Sequence, residues 1–327
     1  MKNNLSNVLL PLATLSLASC AGQQKEDPKR PNIIFMMTDD HTTQAMSCYG
    51  GNLLQTPNMD RIANEGIRMD NCYAVNALSG PSRACVLTGK FSHENGFTDN
   101  ASTFNGDQQT FPKLLQQAGY QTAMIGKWGV GGPATEGTPN KMGFGTYYGC
   151  ICQRQAHTYY PPFLWQNDRR VYLDNELLPP GTPLDAGADP YDPRSYDKYT
   201  QRTYSPDAMY DQVLEFVNAN KERPFFLMWT TPIPHSPMQA PDADVQYYVR
   251  KFGDEQPIEG KGYFPSRWPR ATYAAMITYF DRQIGGLVAE LKRLGIWENT
   301  VIVITSDNGP ASNSCSSSEW FDSAHPF

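Results

Sequence analysis

The stretch NIIFMMTDD, Asn32 to Asp40, decides the fold class of this 327-residue chain. Its first seven residues are almost continuously apolar and two acids follow, a pattern typical of a parallel strand that is buried on both faces. Three later runs, bounded by turn residues, share this character: QTAMIG (121–126), PFFLMWTT (224–231) and TVIVITS (300–306). We therefore predict four buried strands, the first at 32–38.

Helical patterns with recognisable ends separate these strands. A short helix is predicted after Thr56-Pro57 with Gly66 as its stop, and another after Thr110 with Gly119 as its stop; longer helices are predicted at 205–220 and 272–295. This alternation predicts an α/β fold with a mostly parallel central sheet, helices on both faces, and ligands beyond the carboxyl ends of the strands. A Gly-, Pro- and Tyr-rich segment, 131–204, interrupts the alternation, and we expect a long irregular insertion that is functional or mobile.

The N-terminus has the features of an export signal. An apolar stretch ends in Leu-Ala-Ser-Cys at Cys20, which resembles the lipobox of bacterial lipoproteins. We expect residues 1–20 to be a signal peptide, Cys20 to be lipidated, 21–30 to be a polar tether and 31–327 to be the folded domain, anchored in the periplasm or on the outer membrane of a Gram-negative bacterium. An ordinary secretory signal is the alternative. The net charge of −6 and the lack of a basic run argue against nucleic-acid binding.

Oxygen-bearing side chains follow the first and the last predicted strand. Asp39 and Asp40 come after one, and Asp307 and Asn308 come after the other. Each pair alone is commonly a turn that closes a strand. Two pairs at the same sheet edge instead predict a site for a hard divalent cation, because calcium and magnesium prefer carboxylate and amide oxygens.

Four further side chains are predicted to lie at this edge. Lys127 follows the second strand and His235 the third, where a lysine can hold an anion and a histidine can move a proton. Ser79 lies just before a predicted short helix, SRACVLTG (82–89), whose N-terminus favours anions, and Arg83 can reach back to it. Taken singly, the lysine is more often a surface residue and the histidine a loop residue. Together they predict the transfer of a tetrahedral anion, phosphate or sulfate.

The sequence SGPSRACVLTG, Ser79 to Gly89, resembles the signature of the type I sulfatases of the alkaline-phosphatase-like superfamily. In that family the first residue is oxidised to formylglycine; one hydroxyl of the hydrated aldehyde attacks sulfur, and the other then expels sulfate. A serine at this position resembles the bacterial form that a radical S-adenosylmethionine enzyme matures. The resemblance implies that one Ca²⁺ is bound by Asp39, Asp40, Asp307, Asn308 and the modified Ser79.

The same resemblance implies that Arg83 stabilises the formylglycine hydrate, Lys127 binds the sulfate and His235 assists the leaving alcohol. One departure is Gly129, which stands where the family motif GKWHLG has histidine; His157 or His93 is expected to supply the missing hydrogen bond. Family members also continue beyond SDNGP (306–310), so we expect the C-terminal subdomain to be missing and 31–327 to hold the N-terminal catalytic domain.

The segment 153–170 is expected to border the substrate. Its aromatic and basic side chains, above all His157, Tyr160 and Trp165, could stack on a sugar or hold its polar groups, although the rings could equally pack a long loop. The segment resembles that of sulfatases acting on 4-O-sulfated galactose or N-acetylgalactosamine. We predict a carbohydrate sulfatase; the alternatives are a phosphatase or phosphodiesterase of the same superfamily, and an inactive glycan-binding lipoprotein.

Overall fold

Seven strands form the central sheet of the protein in a computed structural model, which describes residues 29–311 and 317–325. The expected signal peptide, the lipidated Cys20 and most of the tether lie outside the described residues. The strands are β1 (Asn32–Thr38), β2 (Gln121–Lys127), β3 (Thr146–Cys150), β4 (Phe163–Gln166), β5 (Arg169–Tyr172), β6 (Phe225–Thr230) and β7 (Thr300–Ser306). The four predicted strands are confirmed as β1, β2, β6 and β7.

The strand order is β5-β4-β3-β2-β6-β1-β7. The five strands from β3 to β7 across the sheet are parallel, whereas β4 pairs antiparallel with both β3 and β5. Parallel neighbours place their carboxyl ends at one edge, which is where Lys127 ends β2 and where other predicted site residues follow β1, β6 and β7. The mostly parallel sheet expected from the sequence is confirmed.

The helices are α1 (Pro57–Glu65), α2 (Ser79–Thr88), α3 (Ser92–Asn95), α4 (Phe111–Gln117), α5 (Ser205–Asn220), α6 (Asp242–Phe252) and α7 (Pro269–Arg293). The five predicted helices are confirmed as α1, α2, α4, α5 and α7, with α2 and α7 each beginning three residues earlier than expected. The sequence reading missed α6, although its first turn is acidic and its last turn basic, as the helix dipole favours. Among the helices in the described part of the chain, none combines the length and apolar character needed to cross a membrane.

Strand β6 shows why both faces of the sheet carry helices. Phe225, Leu227 and Trp229 enter a core with buried side chains of α5 and α7, whereas Phe226 and Met228 enter a second core with side chains of α2. All six residues of β6 are buried. A continuous apolar run is therefore needed at this central position, since either face of the strand meets a core.

The insertion 131–204 is more regular than expected. It contributes β3, which extends the parallel sheet, and the hairpin β4–β5 at the sheet edge. Asn167 adopts a left-handed φ of 54° in the two-residue turn of this hairpin, a conformation that asparagine tolerates. The sequence reading missed these strands because they are four or five residues long and one of them, RRVY, is largely exposed.

Candidate active site

The ends of the central strands are tied together by backbone hydrogen bonds. The Asp307 amide donates to the Thr38 carbonyl at 3.0 Å, and the Asp39 amide donates to the Ile233 carbonyl at 3.0 Å. The turn after β1 needs a left-handed residue, and Asp40 supplies it with a φ of 59°. The acidic pairs after β1 and β7 and the loop after β6 therefore meet at one edge, as predicted.

Helix α2 brings its N-terminus to these carboxylates. Ser79 is the first residue of the helix rather than the residue before it, a small correction to the sequence reading. Its Oγ donates to Asp39 Oδ1 at 3.0 Å and lies 3.5 Å from Asn308 Oδ1. The amide of Gly80 is satisfied by Asn100 Oδ1 at 2.9 Å, a contact that the sequence did not predict. The serine hydroxyl thus lies inside the predicted metal-ligand set.

Two positively charged side chains, those of Arg83 and Lys127, lie within the cluster. Arg83 Nε donates to Asp307 Oδ2 at 3.1 Å, and its second terminal nitrogen lies 3.3 Å from Asp39 Oδ2. Its first terminal nitrogen donates to the Lys127 carbonyl at 2.6 Å. Lys127 Nζ donates to Asp39 Oδ2. Because Asp39, Arg83 and Lys127 are at most 2% exposed, these pairs act in a low local dielectric and water screens them little.

The carboxylates respond unequally to this environment. Burial alone would raise the pKa of Asp39, but the positive charge of Lys127, with that of Arg83, holds it below its usual range. Burial and the negative charge of Asp39 raise the pKa of Asp40 and that of Asp307 to about 6 each. Two cations therefore do not neutralise three carboxylates, and the remaining repulsion is what an added cation would relieve.

The oxygen atoms of the cluster fit a hard cation. Asp39, Asp40 and His235 each offer a ligand atom within 4.8 Å of the others. Asn308 Nδ2 donates to Asp40 Oδ1 at 2.6 Å, and a half-turn of this amide exchanges its nitrogen for an oxygen ligand. With Asp307 and the hydroxyl of Ser79 this makes a set dominated by oxygen, which matches calcium or magnesium better than zinc.

His235 is held in one tautomer. Its Nδ1 lies 2.5 Å from the Ser236 carbonyl oxygen, which only accepts, so Nδ1 carries the proton. Nε2 lies 3.6 Å from Asp40 Oδ2 and is the nitrogen that faces the cluster. Burial lowers the pKa of the ring. The histidine thus presents Nε2 as the atom that exchanges a proton with a ligand.

The predicted substrate residues divide into two groups. His157 reaches the cluster: its ring stacks on that of His235 with centroids 5.5 Å apart, and Tyr263 packs edge-on against it at 4.9 Å. Burial and the neighbouring His235 lower the pKa of His157 to about 3. Tyr160 is buried and packs against Tyr204, whereas Trp165 packs against neighbours in its own hairpin.

Of the two histidines proposed to compensate for Gly129, only His157 lies beside the site. His93 is on α3, exposed, and stacks on Phe91. The space next to Gly129 holds the side chain of Gln153, which would collide with any Cβ at position 129. Sequence reasoning missed Gln153, since nothing in its local pattern marks it as a neighbour of β2.

The sequence and the fold of the chain are similar to those of known proteins. Residues 31–326 match the family model described as Sulfatase. Over 236 residues the chain is 57% identical to an N-acetylglucosamine-6-O-sulfatase of Bacteroides thetaiotaomicron, covering 72% of this chain and 36% of that protein. It is 29% identical over 307 residues to the human N-acetylgalactosamine-6-sulfatase, covering 87% of this chain and 51% of the relative.

A solved structure is also similar. It is described as a complex with its substrate D-glucosamine-2-N,6-O-disulfate, and it superposes with a TM-score of 0.65 at 38% identity, covering 86% of this chain and 66% of the other. The chain thus spans roughly a third to a half of the length of these curated relatives.

Proposed function

Because this chain belongs to the sulfatase family, we propose that it hydrolyses the 6-O-sulfate ester of an N-acetylhexosamine. Both curated relatives described above are named 6-sulfatases of such sugars, and the similar solved structure holds a 6-O-sulfated glucosamine. The sequence alone suggested 4-O-sulfated galactose or N-acetylgalactosamine. That reading stays an alternative, which the substrate panel below decides.

The observation that carries the proposal is the charge of the buried cluster. Asp39, Asp40 and Asp307 supply three negative charges, and Arg83 and Lys127 supply two positive ones. One bound dication would leave a single positive charge. A sulfate monoester carries one negative charge, whereas a phosphate monoester approaches two at neutral pH. The site therefore suits a sulfate ester better than the phosphate ester of the rival hypothesis.

The residues that would hold Ca²⁺ are Asp39, Asp40, Asp307 and Asn308, together with an oxygen on residue 79. Bound there, the ion would stabilise negative charge on the sulfate and on the nucleophile. Oxidation of Ser79 to formylglycine by a radical S-adenosylmethionine enzyme would supply a hydrated aldehyde, which can both attack sulfur and later release sulfate.

The other side chains have roles that follow from their contacts. Arg83 is fixed by Asp307 and by the Lys127 carbonyl, so its charge is preorganised beside residue 79. Lys127 Nζ, held by Asp39, is placed to bind a sulfate oxygen as a point charge. His235, in the imidazolium form that the negative charges of Asp39 and Asp307 favour, delivers a proton from Nε2 to the departing sugar oxygen, while its Nδ1–H bond to Ser236 keeps the ring oriented.

The proposal is tested on a panel of sugar esters by measuring release of sulfate or, for the phosphate ester, release of phosphate. We expect turnover of N-acetylglucosamine-6-sulfate, less of N-acetylgalactosamine-6-sulfate, and little of N-acetylgalactosamine-4-sulfate or N-acetylglucosamine-6-phosphate. Preference for the 4-sulfate would establish the alternative position, and preference for the phosphate would establish the phosphatase. Peptide mass spectrometry across Ser79 should show the loss of two hydrogens; an unmodified serine in turning-over protein would refute the formylglycine mechanism.

We also propose that the protein is exported and lipid-anchored through Cys20, as the sequence LASC suggests. A Cys20→Ala variant should lose both the lipid mass and its partition into detergent, while the parent retains both. Retention of the parent in the aqueous phase after export would instead indicate an ordinary secretory signal.

A further inference from the structure

One buried hydroxyl of the insertion contacts both ends of the turn that carries His235. Tyr159 Oη lies 2.8 Å from the Pro232 carbonyl oxygen and 2.9 Å from the His235 carbonyl oxygen. Tyr159 is 0% exposed, so water cannot substitute for either contact. A single phenol proton thus serves the two ends of the four-residue turn that presents the histidine.

The ring of His235 is attached to the same segment. His157, two residues before Tyr159, stacks on it at 5.5 Å with an interplanar angle of 14°. Tyr263 packs edge-on against both imidazoles, at 4.9 Å and 5.5 Å. Tyr159 therefore holds the backbone of His235, and His157 holds its ring. Both side chains belong to one short stretch of the insertion.

This stretch is itself fixed. The Tyr159 amide donates to Gln239 Oε1 at 3.0 Å, and its carbonyl accepts from the Ser205 amide at 2.8 Å. The ring of Tyr159 stacks on Tyr204, whose hydroxyl donates to the Gln239 carbonyl at 2.9 Å. The insertion and the loop after β6 are thus joined by several buried contacts, and Tyr159 is at their centre.

We propose that Tyr159 is a positioning residue for His235, with His157 supporting the ring. The inference rests on the proposed function, in which His235 Nε2 gives a proton to the leaving alcohol. Without the hydroxyl, the carbonyl of residue 235 loses its buried donor and that of residue 232 is left with the His235 amide, so the turn shifts and Nε2 moves away from the leaving oxygen. A displacement of about 1 Å can cost on the order of 100-fold in rate.

A pair of isosteric variants tests this. Tyr159→Phe removes the hydroxyl, and Tyr160→Phe removes that of the adjacent buried tyrosine, whose ring packs against Tyr204. Each variant is assayed on two substrates. The alcohol of a sugar sulfate needs a proton to leave, whereas the phenolate of 4-nitrophenyl sulfate leaves without one. We expect Tyr159→Phe to lower kcat on the sugar about 10- to 100-fold with KM nearly unchanged.

The aryl sulfate should change less than about 3-fold, as should both substrates with Tyr160→Phe. Equal losses on the two substrates would show that the hydroxyl merely supports the fold, and unchanged sugar turnover would show that it does not position His235. Either result overturns the proposal.

A second measurement of the position of His235 does not depend on enzymatic activity. The chain has five histidines, so ¹⁵N-histidine spectra are simple to assign with a His235→Gln variant. The Nδ1–H signal of His235 should be protected from solvent exchange in the parent and in Tyr160→Phe, and exposed in Tyr159→Phe. If the parent protein lacks sulfatase activity, the proposed function is wrong but the positioning role is still tested by the spectra. If the Nδ1–H signal of His235 stays protected in Tyr159→Phe, the positioning role is wrong and the proposed function is unaffected.

Discussion

Two regions of the molecule deliver side chains to the same site in different ways. The strand-end cluster is formed by residues that follow β1 and β7, by the last residue of β2 and by the first turns of α2. It places opposite charges in direct buried contact. The insertion turn, residues 153–160, reaches the site through ring stacking, one phenol hydroxyl and one amide side chain. The cluster supplies the charge that the chemistry needs, and the turn adjusts where a proton is delivered.

This difference predicts which substitutions should have the largest effects on turnover and stability. Removing one partner from a buried ion cluster leaves an uncompensated charge, which costs several kcal/mol, whereas removing a single neutral hydrogen bond costs about 1 kcal/mol. Changes in the cluster should therefore affect every substrate and the stability as well. Changes in the turn should affect substrates selectively.

The largest effect is expected from Ser79→Ala. Since residue 79 is the proposed source of the nucleophile, turnover of sugar and aryl sulfates should both fall by about 10⁴-fold or more. Sulfate release measures the loss, and a retained calcium-induced rise in Tm shows that the cluster is intact. A variant that keeps more than about a tenth of parental turnover would place the nucleophile elsewhere.

Lys127→Ala should come next. It removes the partner of Asp39, so turnover of both substrates should fall by about 10²- to 10³-fold and the free energy of unfolding by about 3–5 kcal/mol. Lys141→Ala is the matched control, because Lys141 pairs with Glu136 on the surface, where an ion pair contributes about 0–1 kcal/mol. Equal stability losses would contradict the contrast between buried and exposed pairs.

The pH dependence of stability tests the charge balance of the cluster. The folded-state pKa values of Asp40 and Asp307 are raised from 3.8 to about 6, so the folded protein binds more protons than the unfolded chain between these values. In EDTA, this contribution to stability is full below about pH 4 and is lost as the pH rises through 6. Asp39, with its lowered pKa, loses its contribution only in more acidic solution.

Thermal unfolding measures this effect. Burial lowers the pKa values of His41, His157 and His235, which act in the opposite direction over this range but are common to the parent and to an Asp40→Asn variant. In EDTA, the Tm of the parent relative to that of the variant should therefore fall between pH 5 and pH 7. Added calcium should raise the Tm of the parent more at pH 7, where the carboxylates are ionised, and should raise that of the variant less. A parent Tm that does not fall relative to that of the variant over this range would contradict the raised pKa of Asp40.

The sequence predicted the cluster well because strand ends follow a general rule. Once β1 and β7 are read as parallel strands, the acids that follow them must meet, and Asp39 and Asp307 are both bonded to Arg83 as a result. The insertion could not be predicted in this way. The contacts of His157 and Tyr159 depend on β3 to β5, whose short strands carry a weak periodic signal, and on a loop seventy-odd residues away in sequence.

The smallest effect is expected where the two regions touch, at Gly129 and Gln153. Gly129 has a φ of 83°, and a Cβ there would collide with the amide of Gln153. Gly129→Ala should lower the free energy of unfolding by about 2–3 kcal/mol, from left-handed strain plus displacement of that amide. Gly187→Ala is the control, because its φ is 79° and its surroundings are open, so it should show the strain of about 1–2 kcal/mol alone.

Urea unfolding of the double variant Gly129→Ala/Gln153→Ala separates the two contributions. Removing the amide should recover about 0.5–1 kcal/mol and leave a cost similar to that of Gly187→Ala. If Gly129→Ala costs no more than Gly187→Ala, then Gln153 does not fill this space. A double-variant cost smaller than the sum of the costs of Gly129→Ala and Gln153→Ala would instead show that the side chain of Gln153 fills the space beside Gly129, so that the two regions are joined by this contact.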